Sequence, residues 1–240
     1  MNLAIITGGS KGLGKALVRT YCEKGFKVIS ISRTNSCFTH ENFLNNITFD
    51  LSQIEKLETL KNKLQLITKD KEFENVILIN NAGTLGNITT NQKDTAKNID
   101  YTIKLNLTTP LILISFIINL FRNYNLSIYN ISSGAASKSY YGWSNYNASK
   151  SGLSLATKTI ALEQENNSTF EIFNIIPGVI NTQMQKQIRN TKQENFKDVD
   201  LFINMDNENL LLNPLTVALK IYNIKTMNYK SGYTINLKHL

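Results

Sequence analysis

The chain has 240 residues, of which 42% are hydrophobic and 18% are charged, so it can bury a core and is too apolar for a disordered protein. Its net charge of +8 would suit a nucleic-acid partner, but the lysines and arginines are dispersed and form no basic run with interleaved aromatic residues. We therefore expect no nucleic-acid binding. The charge is interpreted as a solvated basic surface that would also favour an anionic small ligand.

Two cysteines and the apolar segments bear on the location of the protein. Cys22 lies in a predicted helix and Cys37 in a predicted loop, in no metal-binding or redox spacing, as is typical of a reducing cytoplasm. The amino terminus has no positively charged segment before its first apolar run. The apolar stretch at 111–121 is shorter than the roughly 20 residues that cross a bilayer. We expect a cytoplasmic protein with no metal site and no membrane partner.

Short apolar runs alternate along the chain with helical patterns. The runs predict strands at 3–7, 27–32, 47–50, 76–80, 126–132, 170–178 and 233–237. The helical patterns extend from the glycine-rich segment to Gly25 and cover 53–69, 101–122, 145–165 and 215–224. Strands that are apolar throughout and alternate with helices indicate a parallel sheet covered on both faces. We predict a single doubly wound α/β domain over 1–240, a Rossmann fold with about seven strands.

The segment TGGSKGLG at 7–14 follows the first predicted strand and opens the first helix. Gly8 and Gly12 would permit a tight turn and a close approach of the backbone to a ligand, and Gly14 would let the helix pack closely on the strand. The amides at the helix start could then bind a pyrophosphate, aided by the helix dipole. The alternative is a glycine-rich turn with no ligand, which the strand–turn–helix placement disfavours.

The end of the second strand bears on which dinucleotide would bind. Folds that prefer NAD usually place an acidic residue about 20 residues beyond the glycines, where it bonds the ribose 2′-hydroxyl. Here the strand ends in Ser32-Arg33-Thr34 and offers no acid. Arg33 and Lys11 could instead bind a 2′-phosphate, unless both are ordinary surface cations. We therefore predict NADPH as the favoured cofactor and NADH as the less favoured one.

Seven motifs in order make the chain similar to the classical short-chain dehydrogenase/reductase family along nearly its whole length. They are TGGSKGLG at 7–14, Asp50, INNAG at 79–83, LN at 105–106, ISSG at 131–134, YNASK at 146–150 and PGVINT at 177–182. The resemblance implies a catalytic set of Asn106, Ser133, Tyr146 and Lys150. It also implies cofactor contacts from Gly8, Ser10, Lys11, Gly12, Leu13, Gly14, Arg33, Asp50, Leu51, Asn81, Ala82, Gly83, Tyr146, Lys150, Pro177, Gly178, Val179 and Thr182. Ser133 is preferred to Ser132 because it stands thirteen residues before Tyr146, the family's usual interval.

The residue types suit a proton transfer. Tyr146 and Lys150 would lie one helical turn apart on the same face, and the ammonium and the oxidised cofactor's positive ring are expected to favour the phenolate. By analogy with the family, Tyr146 would give its proton to a carbonyl oxygen as hydride reaches the carbon. Ser133 would bond the same oxygen, Lys150 would also hold the nicotinamide ribose, and Asn106 would keep a water in a proton relay to Lys150. Taken singly, each residue could instead be a capping serine, a surface amide or a solvated pair. Four matches in register disfavour that interpretation.

Three longer stretches resemble the branch of the family that contains bacterial benzil reductases and sepiapterin reductases. They are ISSGAASKSYYGWSNYNASKSGL at 131–153, SRT at 32–34 and PGVINTQMQKQIR at 177–189. The resemblance implies NADPH-dependent reduction of one carbonyl of a vicinal diketone or of a pterin side chain. It also implies a substrate pocket formed by Ser133, Trp143, Tyr146 and Met184. Trp143 could equally be a core aromatic residue, and Met184 could be apolar packing.

One departure from this branch concerns pterins. Sepiapterin reductases carry an aspartate in the last strand that anchors the pterin, and the matching position here is the neutral Asn236. Apolar diketones are therefore favoured over pterins. The segment 190–213 stands at the family's substrate-loop position and is expected to close over the substrate.

Two further expectations concern the role and the assembly of the chain. A non-catalytic NADPH-binding sensor is possible on this fold, but a sensor would not need the four catalytic residues. Family members commonly form dimers or tetramers through the helices predicted at 101–122 and 145–165, so a homodimer or homotetramer is expected. The apolar run at 111–121 would serve equally in the core of a monomer.

Overall fold

The computed structural model of the protein describes residues 1–35 and 38–239, so the interpretation of Cys37 lies outside the described residues. The strands are β1 (Asn2–Thr7), β2 (Lys27–Ser32), β3 (Phe43–Thr48), β4 (Asn75–Asn80), β5 (Asn125–Ile131), β6 (Phe170–Ile176) and β7 (Thr234–Asn236). The main helices are α1 (Gly12–Glu23), α2 (Leu57–Thr68), α3 (Ala96–Ile103), α4 (Thr109–Leu120), α5 (Ser144–Glu163), α6 (Gln183–Arg189), α7 (Val199–Asn207) and α8 (Pro214–Asn223).

All seven strands pair in parallel in the order β3-β2-β1-β4-β5-β6-β7. This confirms the predicted doubly wound α/β Rossmann fold. The chain leaves β1 in one direction along the sheet and returns to pair β4 on its other side, so the strand order reverses between them. Folds of this kind bind ligands outside the carboxyl ends of the strands at this point.

The apolar strands supply two cores, one on each face of the sheet. In β1, for example, Ala4 and Ile6 belong to the core beneath α1 and α8, whereas Leu3 and Ile5 belong to the core beneath α2 and α4. Successive strand residues point to opposite faces, so a strand buried on both faces must be apolar at every position.

The structure differs from the predicted elements in three places. The third strand begins at Phe43 rather than at 47, because this edge strand is half-exposed and tolerates polar residues where it pairs with β2. The long helix begins earlier, at Ala96, and contains a π-helical turn at Lys104–Thr108 between α3 and α4. Helices α6 and α7 occupy a region where no helix was predicted.

The continuous helical run Ala96–Leu120 changes the interpretation of the apolar segment at 111–121. With 25 residues and a mean hydropathy of 1.6 in its most apolar window, the run is long and apolar enough to cross a membrane by length and composition. Core helices pass the same test. Leu113, Ile114 and Ile117 are buried in the core between α4 and the sheet.

Candidate active site

The glycine loop lies where β1 ends and α1 begins. Gly8 has a φ of +70°, and a Cβ atom there would lie 3.0 Å from the Cα of Ala82. A Cβ on Gly14 would overlap the carbonyl oxygen of Gly8. Lys11 stands before the first helical residue, but no side chain caps this helix end. The close packing of helix on strand is thus observed, and the amides at the start of α1 have no capping side chain.

Thr7 and Asn81 join the ends of β1 and β4 beneath this loop. The hydroxyl of Thr7 accepts hydrogen bonds from the amides of Asn81 (2.9 Å) and Ala82 (3.0 Å). The side-chain amide of Asn81 donates to the carbonyl oxygen of Thr7 at 2.9 Å. Asn81 is therefore a brace between two strand ends. Thr7 was missed by the sequence reasoning, although it is the polar residue that ends the apolar first strand.

Arg33, Asp50 and Leu51 lie at the ends of β2 and β3, and they differ in their surroundings. Arg33 and Asp50 line a surface cavity of about 470 Å³, and the guanidinium of Arg33 donates to the hydroxyl of Tyr101 at 3.3 Å. The carboxylate of Asp50 accepts from the amide and hydroxyl of Ser52 at 3.0 and 2.8 Å. Leu51 is buried in the core beneath α2. Arg33 thus carries its charge at an open edge of the sheet.

Asn106 occupies the π-helical turn and is buried, which excludes the alternative of a surface amide. Its side-chain nitrogen donates to the carbonyl of Thr84 (2.8 Å) and to the hydroxyl of Ser149 (3.1 Å), and its oxygen accepts from the amide of Thr84 at 2.8 Å. A Cβ on Gly83 would lie 3.3 Å from the Asn106 oxygen and 3.8 Å from the Nζ of Lys150. The segment after β4 is therefore packed against the catalytic candidates.

The Lys150 ammonium is buried beneath the same segment. Its Nζ donates to the carbonyl of Ile131 at 2.8 Å and lies 5.9 Å from the centre of the Tyr146 ring. Burial lowers the pKa of Lys150 to about 8 because the charged form loses its hydration. The group is therefore far more acidic than an exposed lysine.

Ser133 and Tyr146 meet at the end of β5. The hydroxyl of Ser133 accepts from the amide of Ala135 at 3.2 Å, and Tyr146 as a residue is 6% exposed. Burial raises the pKa of Tyr146, while the interaction with Ser133 lowers it to a smaller extent. Desolvation is therefore the larger of the two effects on the Tyr146 pKa.

A chain of buried amides fixes α5 to the sheet below these groups. Asn80 donates to Asn130 at 2.8 Å, and Asn130 donates to the hydroxyl of Thr157 at 2.9 Å. Thr157 in turn lies 3.2 Å from the side-chain oxygen of Asn174. The three asparagines stand opposite one another on β4, β5 and β6. Buried polar contacts of this kind fix one register of the helix on the sheet better than apolar contacts alone.

An aromatic cluster covers the start of α5. Trp143 stacks on the fully buried Phe196 with ring centres 4.6 Å apart, and its ring meets that of Tyr146 edge-on at 5.4 Å. The ring of Phe202 lies 5.7 Å from that of Phe196, and Met184 packs against the cluster half-buried. Trp143 is therefore a core aromatic residue that also touches Tyr146. Sequence reasoning missed Phe196 because its segment lacks the periodicity that marks a core residue.

The segment after β6 lies between the glycine loop and this cluster. Its residues Pro177, Gly178 and Val179 lead to Thr182, whose side chain caps α6. A Cβ on Gly12 would lie 3.3 Å from the Thr182 methyl group, so this segment touches the glycine loop. The remaining loop residues expected to contact cofactor are Ser10, which is half-buried, and Leu13, which is buried in the core beneath α1.

Asn236 ends β7, where its side-chain oxygen accepts a hydrogen bond from the amide of Lys238 at 3.1 Å. The side chain is thus used to start the final turn. Its amide nitrogen is neutral, so the position offers no negative charge to a pterin.

Comparison with known proteins decides the family. The family model described as short chain dehydrogenase matches residues 2–193. The chain belongs to the short-chain dehydrogenase/reductase family. It is therefore an oxidoreductase of a family that binds nicotinamide cofactors.

Individual family members are similar over the full length. The chain is 34% identical to a benzil reductase ((S)-benzoin forming) of Bacillus cereus and 32% identical to one of Bacillus subtilis, with 99% of both chains covered in each case. It is 26% identical to the sepiapterin reductase of Rattus norvegicus over 80% of this chain and 79% of that one. The resemblance to this branch is confirmed.

Solved structures share the fold. A 4-hydroxyisoleucine dehydrogenase complexed with NADH superposes with a TM-score of 0.81 at 23% identity, covering 98% of this chain and 96% of that one. This likeness confirms the Rossmann fold of the family.

Proposed function

We propose that this chain, as one domain over 1–240, is an NADPH-dependent carbonyl reductase that acts on a ketone or vicinal diketone of the benzil class. The observation that carries the proposal is the meeting of a buried Tyr146 with Ser133 at the end of β5, beside the uncapped start of α1. Full-length similarity to two benzil reductases supports the substrate class. The sensor alternative has no comparable support.

The residues around the glycine loop fit a nicotinamide dinucleotide. The approach of Gly8 to Ala82 leaves no room for side chains, which suits backbone contact with a pyrophosphate by residues 8–14. Arg33 would bind a 2′-phosphate, with Lys11 beside the phosphates and the Asp50 and Asn81 segments along the adenosine. The bound cofactor supplies the hydride that reduces the carbonyl carbon.

Tyr146 would act as the general acid in the reductive direction. Because burial raises its pKa, the phenol keeps its proton at neutral pH and can give it to the developing alkoxide oxygen. Ser133 would donate a hydrogen bond to the same oxygen and so fix the carbonyl in place. The Lys150 ammonium, with a pKa of about 8, can return a proton to Tyr146 near neutral pH. Asn106 would complete the relay to Lys150 through a water.

The substrate would lie between these polar groups and the aromatic cluster. Trp143 and Met184 would offer an apolar wall for an aromatic diketone. Asn236 carries no charge and already bonds Lys238, which disfavours a pterin.

Leu155 and Leu162 on α5 are 67% and 69% exposed, which supports a homodimer or homotetramer through this helix. The buried free thiol of Cys22 supports a location in the cytoplasm.

The test is NADPH consumption by the purified protein with benzil and with sepiapterin, beside a Tyr146→Phe variant. We expect benzil to be reduced and Tyr146→Phe to be slower by about 10²- to 10⁴-fold, the contribution of a general acid. Faster turnover of sepiapterin would contradict the interpretation of Asn236. Tight NADPH binding without turnover of either carbonyl would favour the sensor.

A further inference from the structure

Asp94 forms an unusual centre of hydrogen bonds between β4 and α3. Its carboxylate accepts from the side-chain amide of Asn98 (2.7 and 2.9 Å), from the amide of Thr95 (2.8 Å) and from the side-chain amide of Asn87 (3.3 Å). The shortest bond, at 2.6 Å, comes from the side-chain amide of Asn145. Among the described residues the charge has no basic partner within ion-pair distance. Four neutral donors therefore hold it in place, and bonds to a charged acceptor are the stronger kind.

The bond to Asn145 reaches the first turn of the catalytic helix. Asn145 directly precedes Tyr146, and no side chain caps the start of α5. On the other side of Tyr146, Asn147 donates to the carbonyls of Ala135 (2.8 Å) and Lys138 (2.5 Å). Tyr146 is thus flanked by two amides that fasten it to separate loops, and one of those loops follows Ser133. Lateral bonds replace the usual cap in fixing this helix end.

The Asp94 hydrogen bonds also connect, through Asn98, to helix α6. The side-chain oxygen of Asn98 accepts from the amide of Asn87 at 3.0 Å. The neighbouring carbonyl of Gly86 accepts from the side chain of Gln187, on α6, at 3.1 Å. Asp94 therefore links the segment after β4, the helix α6 and the start of α5.

We propose that Asp94 is a positioning residue for the reduction, which holds Asn145 and thereby sets the Tyr146 phenol against Ser133. The inference rests on the proposed function, since it assigns Asp94 a part in that same site. Asp94 forms no hydrogen bond to the Tyr146 phenol or to the Ser133 hydroxyl, so its effect on them would pass through Asn145. A small displacement of a reacting group costs rate far more than binding.

Asn145→Asp tests the pair, because it sets two carboxylates against each other and removes the donor. We expect kcat with benzil to fall by about 10- to 100-fold, the equivalent of one charge-assisted hydrogen bond, while KM for NADPH stays within about twofold. The exchange Asp94→Asn with Asn145→Asp restores a donor–acceptor pair of reversed polarity, but its new amide nitrogen also faces the Asn98 side chain that donates to both carboxylate oxygens, so only part of kcat is expected to return. Asp100→Asn is the matched control, since this exposed α3 carboxylate pairs with Lys104.

Hydrogen exchange at the first turn of α5 provides a readout that does not depend on turnover. Asn145→Asp is expected to speed exchange there by about tenfold and to leave α1 unchanged. A wild-type kcat in Asn145→Asp would overturn the positioning role. If the wild-type protein bound NADPH but did not reduce benzil, the proposed function would be wrong. Unchanged hydrogen exchange in Asn145→Asp would show in addition that the Asp94–Asn145 bond does not hold the start of α5.

Discussion

The start of α1 and the start of α5 are two uncapped helix ends at the same edge of the sheet, and they are built in opposite ways. The start of α1 is the backbone-built end, because its glycines pack so closely on the neighbouring backbone that side chains are excluded. The start of α5 is the side-chain-built end, because the side chains of Asn145, Asn147 and Trp143 hold it in place. Elsewhere α3, α6 and α8 are capped by their own side chains. The helices α2 and α7 also begin without a side-chain cap, so the two regions are distinguished by how each helix end is held and not by the missing cap alone.

The largest effect is expected from Gly14→Ala, which attacks the backbone-built end. The added methyl would overlap the Gly8 carbonyl oxygen, so α1 must move away from β1. We expect the free energy of unfolding to fall by at least about 3 kcal/mol, with loss of NADPH binding. Urea denaturation and cofactor fluorescence measure both. Gly134→Ala is the stability control because no atom lies within 4 Å of its added Cβ, and equal losses in the two variants would contradict the packing argument.

Phe196→Ala removes a ring from the aromatic cluster that packs over the side-chain-built end. Loss of the buried ring is expected to cost about 3 kcal/mol locally. Hydrogen exchange in α6 and α7 should therefore speed up by about a hundredfold, while exchange in β1 and β4 stays constant. Equal acceleration across the sheet would show that the two regions open together rather than separately.

Arg33→Ala is expected to act only on cofactor choice. Loss of a charge-assisted bond to a 2′-phosphate should raise KM for NADPH by about thirtyfold and leave KM for NADH within about twofold. Steady-state kinetics with both cofactors measures this. Arg19→Ala is the control, since that exposed arginine on α1 pairs with Glu23. If Arg33→Ala raised both KM values alike, the 2′-phosphate assignment would be wrong.

The smallest effect concerns the pH dependence of stability through Lys150. Its folded pKa of about 8 lies below the unfolded value of roughly 10.4, so between these values the unfolded chain holds a proton that the folded chain has lost. Rising pH therefore stabilises the folded state, by about 1 kcal/mol between about pH 8 and pH 9, and this gain in stability should be absent in Lys150→Met. Urea midpoints of the two proteins give the difference. Cys22, whose pKa burial raises to about 12, acts in the opposite direction but equally in both. A parallel pH dependence of the two proteins would refute the burial effect.

Most of the backbone-built region could be predicted from local pattern. The strand–glycine–helix unit lies within one stretch of chain, so Gly8, Gly14 and the flanking apolar runs carry their own geometry. The segment that packs against this unit could not be predicted in the same way. Thr7 bonds the segment after β4, more than seventy residues along the chain, and no spacing rule connects such positions.

The side-chain-built region shows where prediction from sequence ends. The sequence by itself determined the alternation of buried strands and helices, the glycine loop and the order of the catalytic motifs, because these depend on neighbours along the chain. Only the tertiary structure decided that Phe196 stacks on Trp143, that Asp94 bonds Asn145 and that Asn106 is clamped by Thr84. Each of these contacts joins segments whose distance is set by the packing of helices on the sheet, and the burial that results also raises the pKa of Tyr146.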